Sequence, residues 1–201
     1  KSNGKIVKNI EIIESNFIDN QGVNSKSVSK ILPSIESAIN SIINMIDNSG
    51  KLMSCGNGGS SGDAQHITSE FVNRFEIERK ELPAISLNSD TATITSIAND
   101  YGYEYIFSKQ VSAIGNKRDI LMVFTTSGNS KNILEVINVA KKKDIKVILI
   151  AGCKGGEATN LIKSGDVSIV IPSNRTSRIQ EITLLIIHSI CECIDKHYQH
   201  R

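Results

Sequence analysis

Apolar positions along this chain follow two different rhythms. Up to Gly50 they recur every three or four residues: Ile6, Ile10, Ile13 and Phe17, then Val28, Ile31, Ile35, Ile39, Ile42 and Ile46. That spacing places them on one face of a helix. Asn20-Gln21-Gly22 interrupts the pattern and Asn48-Ser49-Gly50 ends it, so two amphipathic helices are expected. From Lys51 onward, short continuously apolar runs alternate with helical stretches. The runs end at Cys55 or cover 83–87, 119–124, 146–150 and 167–171, with helical patterns at 104–114, 130–143 and 176–197. Uninterrupted apolar strands separated by helices indicate a parallel sheet covered on both faces. The expected fold is α/β, a three-layer αβα sandwich with a five-stranded parallel sheet, preceded by two N-terminal helices. Residues 1–201 read as one domain, with a helical pair at 1–49 and an α/β core at 50–201. The helical stripes need a partner, and a bundle between subunits is one place for them.

Composition narrows the function. Hydrophobic residues make up 39% and charged residues 22%, as in ordinary globular chains. Aromatics are only 4% and Trp is absent, so no stacking platform for bases stands out. The net charge of +2 comes with one short basic cluster, Lys141–Lys142–Lys143. Cations are favoured at a helix C-terminus, so this cluster gives no reason to expect nucleic acid. Cysteines 55, 153, 191 and 193 contain no CxxC pair, and Cys191 and Cys193 face different ways on a helix. Reduced thiols and a cytoplasmic location are expected. No run of 18 apolar residues and no signal-type segment is present, so no membrane partner is expected.

In parallel sheets, ligands bind beyond the carboxyl ends of the strands, where turns expose amides next to helix N-termini. Two stretches have that character: Gly56-Asn57-Gly58-Gly59-Ser60, and Thr125-Thr126-Ser127-Gly128-Asn129-Ser130. The second offers four hydroxyls and a glycine before a helix, which suits a phosphate; a cluster of helix-capping residues is the alternative. A dinucleotide fingerprint would need glycine where Ser61 stands, and a P-loop would need a lysine that is absent there. His66 and Glu70, spaced i, i+4, share a helix face, either as a surface pair or as functional groups. His188 lies among aliphatic residues after Gln180 and Glu181, either as a satisfied core residue or aimed into a pocket.

These segments carry a resemblance. Cys55-Gly-Asn-Gly-Gly-Ser60, Asp63-Ala-Gln-His66 with Glu70, Asn99-Asp100-Tyr-Gly102, Thr126-Ser-Gly-Asn-Ser130 and Arg178-Ile-Gln-Glu181 with His188 resemble the sugar isomerase (SIS) domain proteins. Within them they resemble the phosphoheptose (sedoheptulose 7-phosphate) isomerases. The resemblance implies a flavodoxin-like sandwich, a homotetramer with active sites at subunit interfaces, and a phosphorylated seven-carbon sugar as substrate. It implies that Asn57, Gly58, Gly59, Ser60, Asn99, Asp100, Thr125, Thr126, Ser127, Ser130, Glu70 and Gln180 bind that substrate. It assigns catalysis to Glu70 and His188, with Glu70 the carbon-side base, and one zinc ion per subunit to His66, Glu70, Gln180 and His188. Positions 180 and 188 lie about 12 Å apart along an ideal helix axis, so both side chains would have to lean inward. The implied reaction converts D-sedoheptulose 7-phosphate to D-glycero-D-manno-heptose 7-phosphate on the way to lipopolysaccharide or capsule. The alternative is a non-catalytic tetrameric module that senses a phosphosugar or binds a replication-initiator protein. Such a scaffold has no use for His66, Glu70, Gln180 and His188 together.

Overall fold

In a computed structural model the structure describes residues 8–199; Ile6, at the head of the first expected helix, and His200 lie outside them. The elements are α1 (Asn9–Asp47), β1 (Leu52–Gly56), α2 (Gly59–Val72), β2 (Ala84–Ser86), α3 (Thr91–Tyr101), a 3-10 turn (Tyr103–Tyr105), α4 (Ser108–Ile114), β3 (Ile120–Thr125), α5 (Lys131–Lys142), β4 (Lys146–Ala151), α6 (Gly156–Asn160), β5 (Val167–Val170) and α7 (Thr176–Tyr198).

All five strands are parallel, in the order β2-β1-β3-β4-β5. Because side chains alternate across a strand, the three central strands β1, β3 and β4 feed two cores. Leu52, Ile120, Met122, Phe124, Ile148 and Ile150 pack beneath α1, α2 and α7. Met53, Cys55, Leu121, Val123, Val147 and Leu149 face α3, α4 and α5. The chain leaves β1 towards β2 on one side and returns to β3 on the other, so strand order reverses between β1 and β3. That reversal opens a crevice at the carboxyl ends of both strands, with Gly56 in register with Phe124.

The two expected N-terminal helices are one. Helix α1 runs 39 residues through Asn20-Gln21-Gly22 and Pro33. A glycine inside a helix costs about 1 kcal/mol against alanine, too little to break it when distant contacts hold both halves. The second half buries Ile31, Ile35, Ala38, Ile42 and Met45. The first half is tied to the start of α7: Asn20 Nδ2 donates to Glu181 Oε2 at 2.6 Å and Arg175 Nη1 to Asp19 Oδ2 at 2.5 Å. Arg178 Nη1 also donates to the carbonyl of Asn16. Ile10, Ile13 and Phe17 point outward, 65%, 51% and 76% exposed.

Among the described residues no helix is long and apolar enough to cross a membrane. The four cysteines are free, and burial pushes the Cys55 thiol far above its usual range.

Candidate active site

The first loop leaves β1 at Gly56, whose amide donates to Asn88 Oδ1 at 3.1 Å and whose carbonyl accepts from Asn88 Nδ2 at 2.9 Å. Gly58 turns the chain at φ 55°, a left-handed value that favours glycine, and α2 begins at Gly59. Asn57 is locked by a reciprocal amide pair: its Nδ2 donates to Asn132 Oδ1 and Asn132 Nδ2 donates back to Asn57 Oδ1, both at 2.8 Å. Tyr103 adds its hydroxyl to the same oxygen at 3.1 Å. Ser60 is buried.

In the second loop the hydroxyls divide their work. Thr125 Oγ1 accepts from the Gly128 amide at 3.1 Å and Ser127 Oγ from the Asn129 amide at 3.2 Å. Ser130 occupies the N-cap of α5 without a side-chain capping bond, so its hydroxyl is not used up starting the helix. Gly128 has φ 71°, and a Cβ there would meet the Gly155 carbonyl oxygen at 1.9 Å. The loop is thereby seated on the β4–α6 turn, where Asn129 Oδ1 accepts from the Glu157 amide at 2.9 Å. Asn132 joins the two loops, since α5 follows the second loop and its side chain grips the first.

A second cluster lies farther along α2 and α7. His66 Nε2 lies 3.1 Å from Glu70 Oε1, with both side chains partly exposed. The His66 and His188 rings meet edge to face at 5.1 Å, and Phe75 stacks on His188 at 5.2 Å and 26°. His188 is half-buried, so it is not a histidine enclosed in the core. Asp63, one turn before His66, has a buried Oδ2 without a hydrogen-bond partner. Burial pushes its pKa up to about 6, opposed by the charge of His66.

Gln180 stands beside the start of α2. A Cβ at Gly59 would fall 2.1 Å from Gln180 Nε2, so the amide lies directly over the start of α2. His66 and Glu70 lie about 10 and 16 Å further along the helix axis at about 1.5 Å per residue. The loops and Gln180 thus form one cluster, and His66, Glu70 and His188 another. Asn99 and Asp100, at the end of α3, are exposed and bond to each other at 2.8 Å; the segment after them reaches the first loop through Tyr103.

Among the described residues no three His, Cys, Asp or Glu side chains form a ready metal-binding group. Two imidazoles and a carboxylate have the donor types of a zinc site, although here they are spaced as a hydrogen-bonded pair beside a ring contact. Gln180 is the outlier, since its amide lies beside Gly59, about two turns of α2 before His66. Asn132, Phe75 and Asp63 were not among the residues expected from the sequence. Asp63 stood in the segment that carries the resemblance but without a role, Asn132 stood two residues past the hydroxyl loop, and Phe75 left no signal.

A five-stranded parallel sheet with glycine- and hydroxyl-rich loops at its β1/β3 switch point defines an SIS-type α/β domain. The SIS domain family model matches residues 16–152. The chain is 49% identical over 188 residues to a phosphoheptose isomerase of Alteromonas mediterranea, covering 92% of this chain and 94% of that one. It superposes on the structure of a phosphoheptose isomerase from Francisella tularensis with a TM-score of 0.92 at 40% identity, over 94% of this chain and 100% of that one. For the enzyme from Neisseria gonorrhoeae the TM-score is 0.90 at 36% identity, with the same coverage. The chain belongs to the phosphoheptose isomerase family.

Proposed function

We propose that the chain isomerises D-sedoheptulose 7-phosphate to D-glycero-D-manno-heptose 7-phosphate through an enediol. The observation that carries this reading is the convergence of Glu70 and His188, from two different helices, around His66. Moving a carbonyl between neighbouring carbons requires one group to shift a proton from carbon to carbon and another to shift a proton between the oxygens. Glu70 is the carbon-side base: its Oε1 faces His66 and its Oε2 has no hydrogen-bond partner among the described residues. It takes the proton from the carbon bearing the hydroxyl and returns it to the former carbonyl carbon. His188, held against Phe75, gives a proton to the carbonyl oxygen and removes one from the adjacent hydroxyl. Asn57, Gly58, Gly59 and Ser60 hold the sugar, with Asn99 and Asp100 on its hydroxyls. Thr125, Thr126, Ser127 and Ser130 hold the phosphate, and Gln180 closes over the chain.

A zinc ion would be held by His66, Glu70 and His188, and Gln180 would have to turn away from the start of α2 to join them as the weakest ligand. When bound it would polarise the carbonyl and stabilise the enediolate.

We read residues 1–201 as one SIS domain acting as a cytoplasmic homotetramer, supplying heptose for a bacterial surface polysaccharide. The exposed Ile10, Ile13 and Phe17 of α1 and Leu184 and Leu185 of α7 support that assembly, because apolar faces of this kind mark interfaces. Assembly would also bring one copy's loops to another's proton-transfer pair, which lie apart within one chain. The presence of His66, Glu70, Gln180 and His188 together favours the enzyme over a non-catalytic scaffold. The test is turnover of sedoheptulose 7-phosphate by purified protein, with and without added zinc. Formation of the aldose supports the reading, and no turnover by a folded tetramer under either condition rejects it.

A further inference from the structure

Glu70 and His188 sit on separate helices and are both partly exposed, so something must hold them at a working separation. Helix α2 ends at Val72, and the chain then runs to β2 without regular structure. That crossing is pinned by a buried ion pair. Arg79 Nε donates to Asp195 Oδ1 at 2.8 Å, with side-chain exposures of 1% and 0%. Asp195 Oδ2 accepts from the amides of Glu76 and Ile77 at 2.8 and 3.0 Å. Burial alone would raise the Asp195 carboxyl, but those amides and the guanidinium hold it below the usual range.

The rest of the guanidinium faces the end of α2. Nη2 donates to the carbonyl of Glu70 at 2.7 Å, and Nη1 to those of Phe71 at 2.9 Å and Lys80 at 3.0 Å. The last carbonyls of a helix have no partner within it, and the planar fork of arginine can serve several at once, which a lysine cannot. The segment held in this way carries Phe75, whose ring lies on His188. Asp195 is seven residues beyond His188, two turns along the same face of α7. One buried pair therefore joins the turn that bears Glu70, the loop that covers His188 and the helix that bears His188.

We propose that Arg79, Asp195 and Phe75 form a positioning unit that sets the Glu70 carboxylate against the His188 ring. The inference rests on the isomerase reading above. It acts through main-chain and ring contacts, so its loss should slow the proton transfers while leaving phosphosugar binding intact.

The test is steady-state kinetics on sedoheptulose 7-phosphate with the wild-type chain, Phe75→Leu, Phe75→Tyr and Arg79→Lys, each checked for melting temperature. Expected are a fall in kcat of about tenfold or more for Phe75→Leu with KM within about twofold, and kcat within about twofold of wild type for Phe75→Tyr, which keeps the stacked ring. Arg79→Lys should behave like Phe75→Leu; if it does not fold, the Phe75 pair decides alone. Unchanged kcat for Phe75→Leu in an active wild-type background overturns the positioning role, as does an equal loss in Phe75→Leu and Phe75→Tyr. An inert wild-type chain instead overturns the isomerase reading, and this inference with it.

Discussion

Gln180 lies so close over Gly59 that a single added carbon at position 59 would sit 2.1 Å from its Nε2. The obstructing atom is the end of a flexible side chain, so Gly59→Ala should displace the amide at little structural cost. Misplacing a substrate-contacting group by about 1 Å can cost about a hundredfold in rate. Gly59→Ala should therefore lower kcat/KM by about tenfold or more with a melting temperature close to wild type. Unchanged kinetics would remove Gln180 from the substrate site.

The continuity of α1 can be tested at Gly22, where no atom lies within 4 Å of a built Cβ. In a helix interior, alanine is favoured over glycine by about 1 kcal/mol. Gly22→Ala should raise stability by about that amount in denaturant unfolding. No gain would indicate that the segment is a hinge between two helices.

Zinc bound to the native state stabilises it by mass action, about 2.7 kcal/mol at a hundredfold excess over Kd. For a chain of this size that corresponds to about 5–10 °C in melting temperature. A strong chelator should lower the melting temperature of the zinc-loaded protein by about that amount, with His66→Ala abolishing the response. Identical melting curves with and without chelator would argue against the metal.

Asp63 makes a pH-dependent contribution whose sign is fixed by its burial. Its pKa is pushed up to about 6, above about 3.9 for an unfolded chain. Between those values the folded state holds the extra proton, so this group's contribution to stability falls as pH rises from about 4 to about 6. In chelator-treated protein, Asp63→Asn should melt with the wild type at pH 4 and a few degrees above it at pH 7.5. A gap that does not change with pH would contradict the assignment.

The sheet was legible in the sequence because its strands are continuously apolar, and 119–124 and 146–150 needed only one-residue adjustments to become β3 and β4. Helix α3 left no such trace: its residues, Thr91–Tyr101, are largely polar and only Ile97 is buried. The single helix α1 was misread as two because Gly22 breaks a local pattern, whereas the contacts that carry the helix through it come from Arg175, Arg178 and Glu181, more than 150 residues away. The candidate site divided in the same way. His66 and Glu70 were visible as an i, i+4 pair and the loops by their glycines and hydroxyls. Phe75 and the Arg79–Asp195 pair gained meaning only when a loop and a distant helix met. The separation of the loops from the proton-transfer pair along α2 likewise follows from helix geometry and not from any motif.

The central claim is that Glu70 moves a proton between neighbouring carbons of a phosphorylated ketose. Its most direct test is to incubate purified wild-type protein and Glu70→Gln with sedoheptulose 7-phosphate in D2O and follow the sugar by NMR. The wild type should build up the aldose 7-phosphate, whereas Glu70→Gln should still bind the sugar and be slower by about a hundredfold to ten-thousandfold, the usual contribution of a positioned base. A ketose spectrum that stays unchanged with folded wild-type protein, with and without zinc, would contradict the account, as would Glu70→Gln turning over at the wild-type rate.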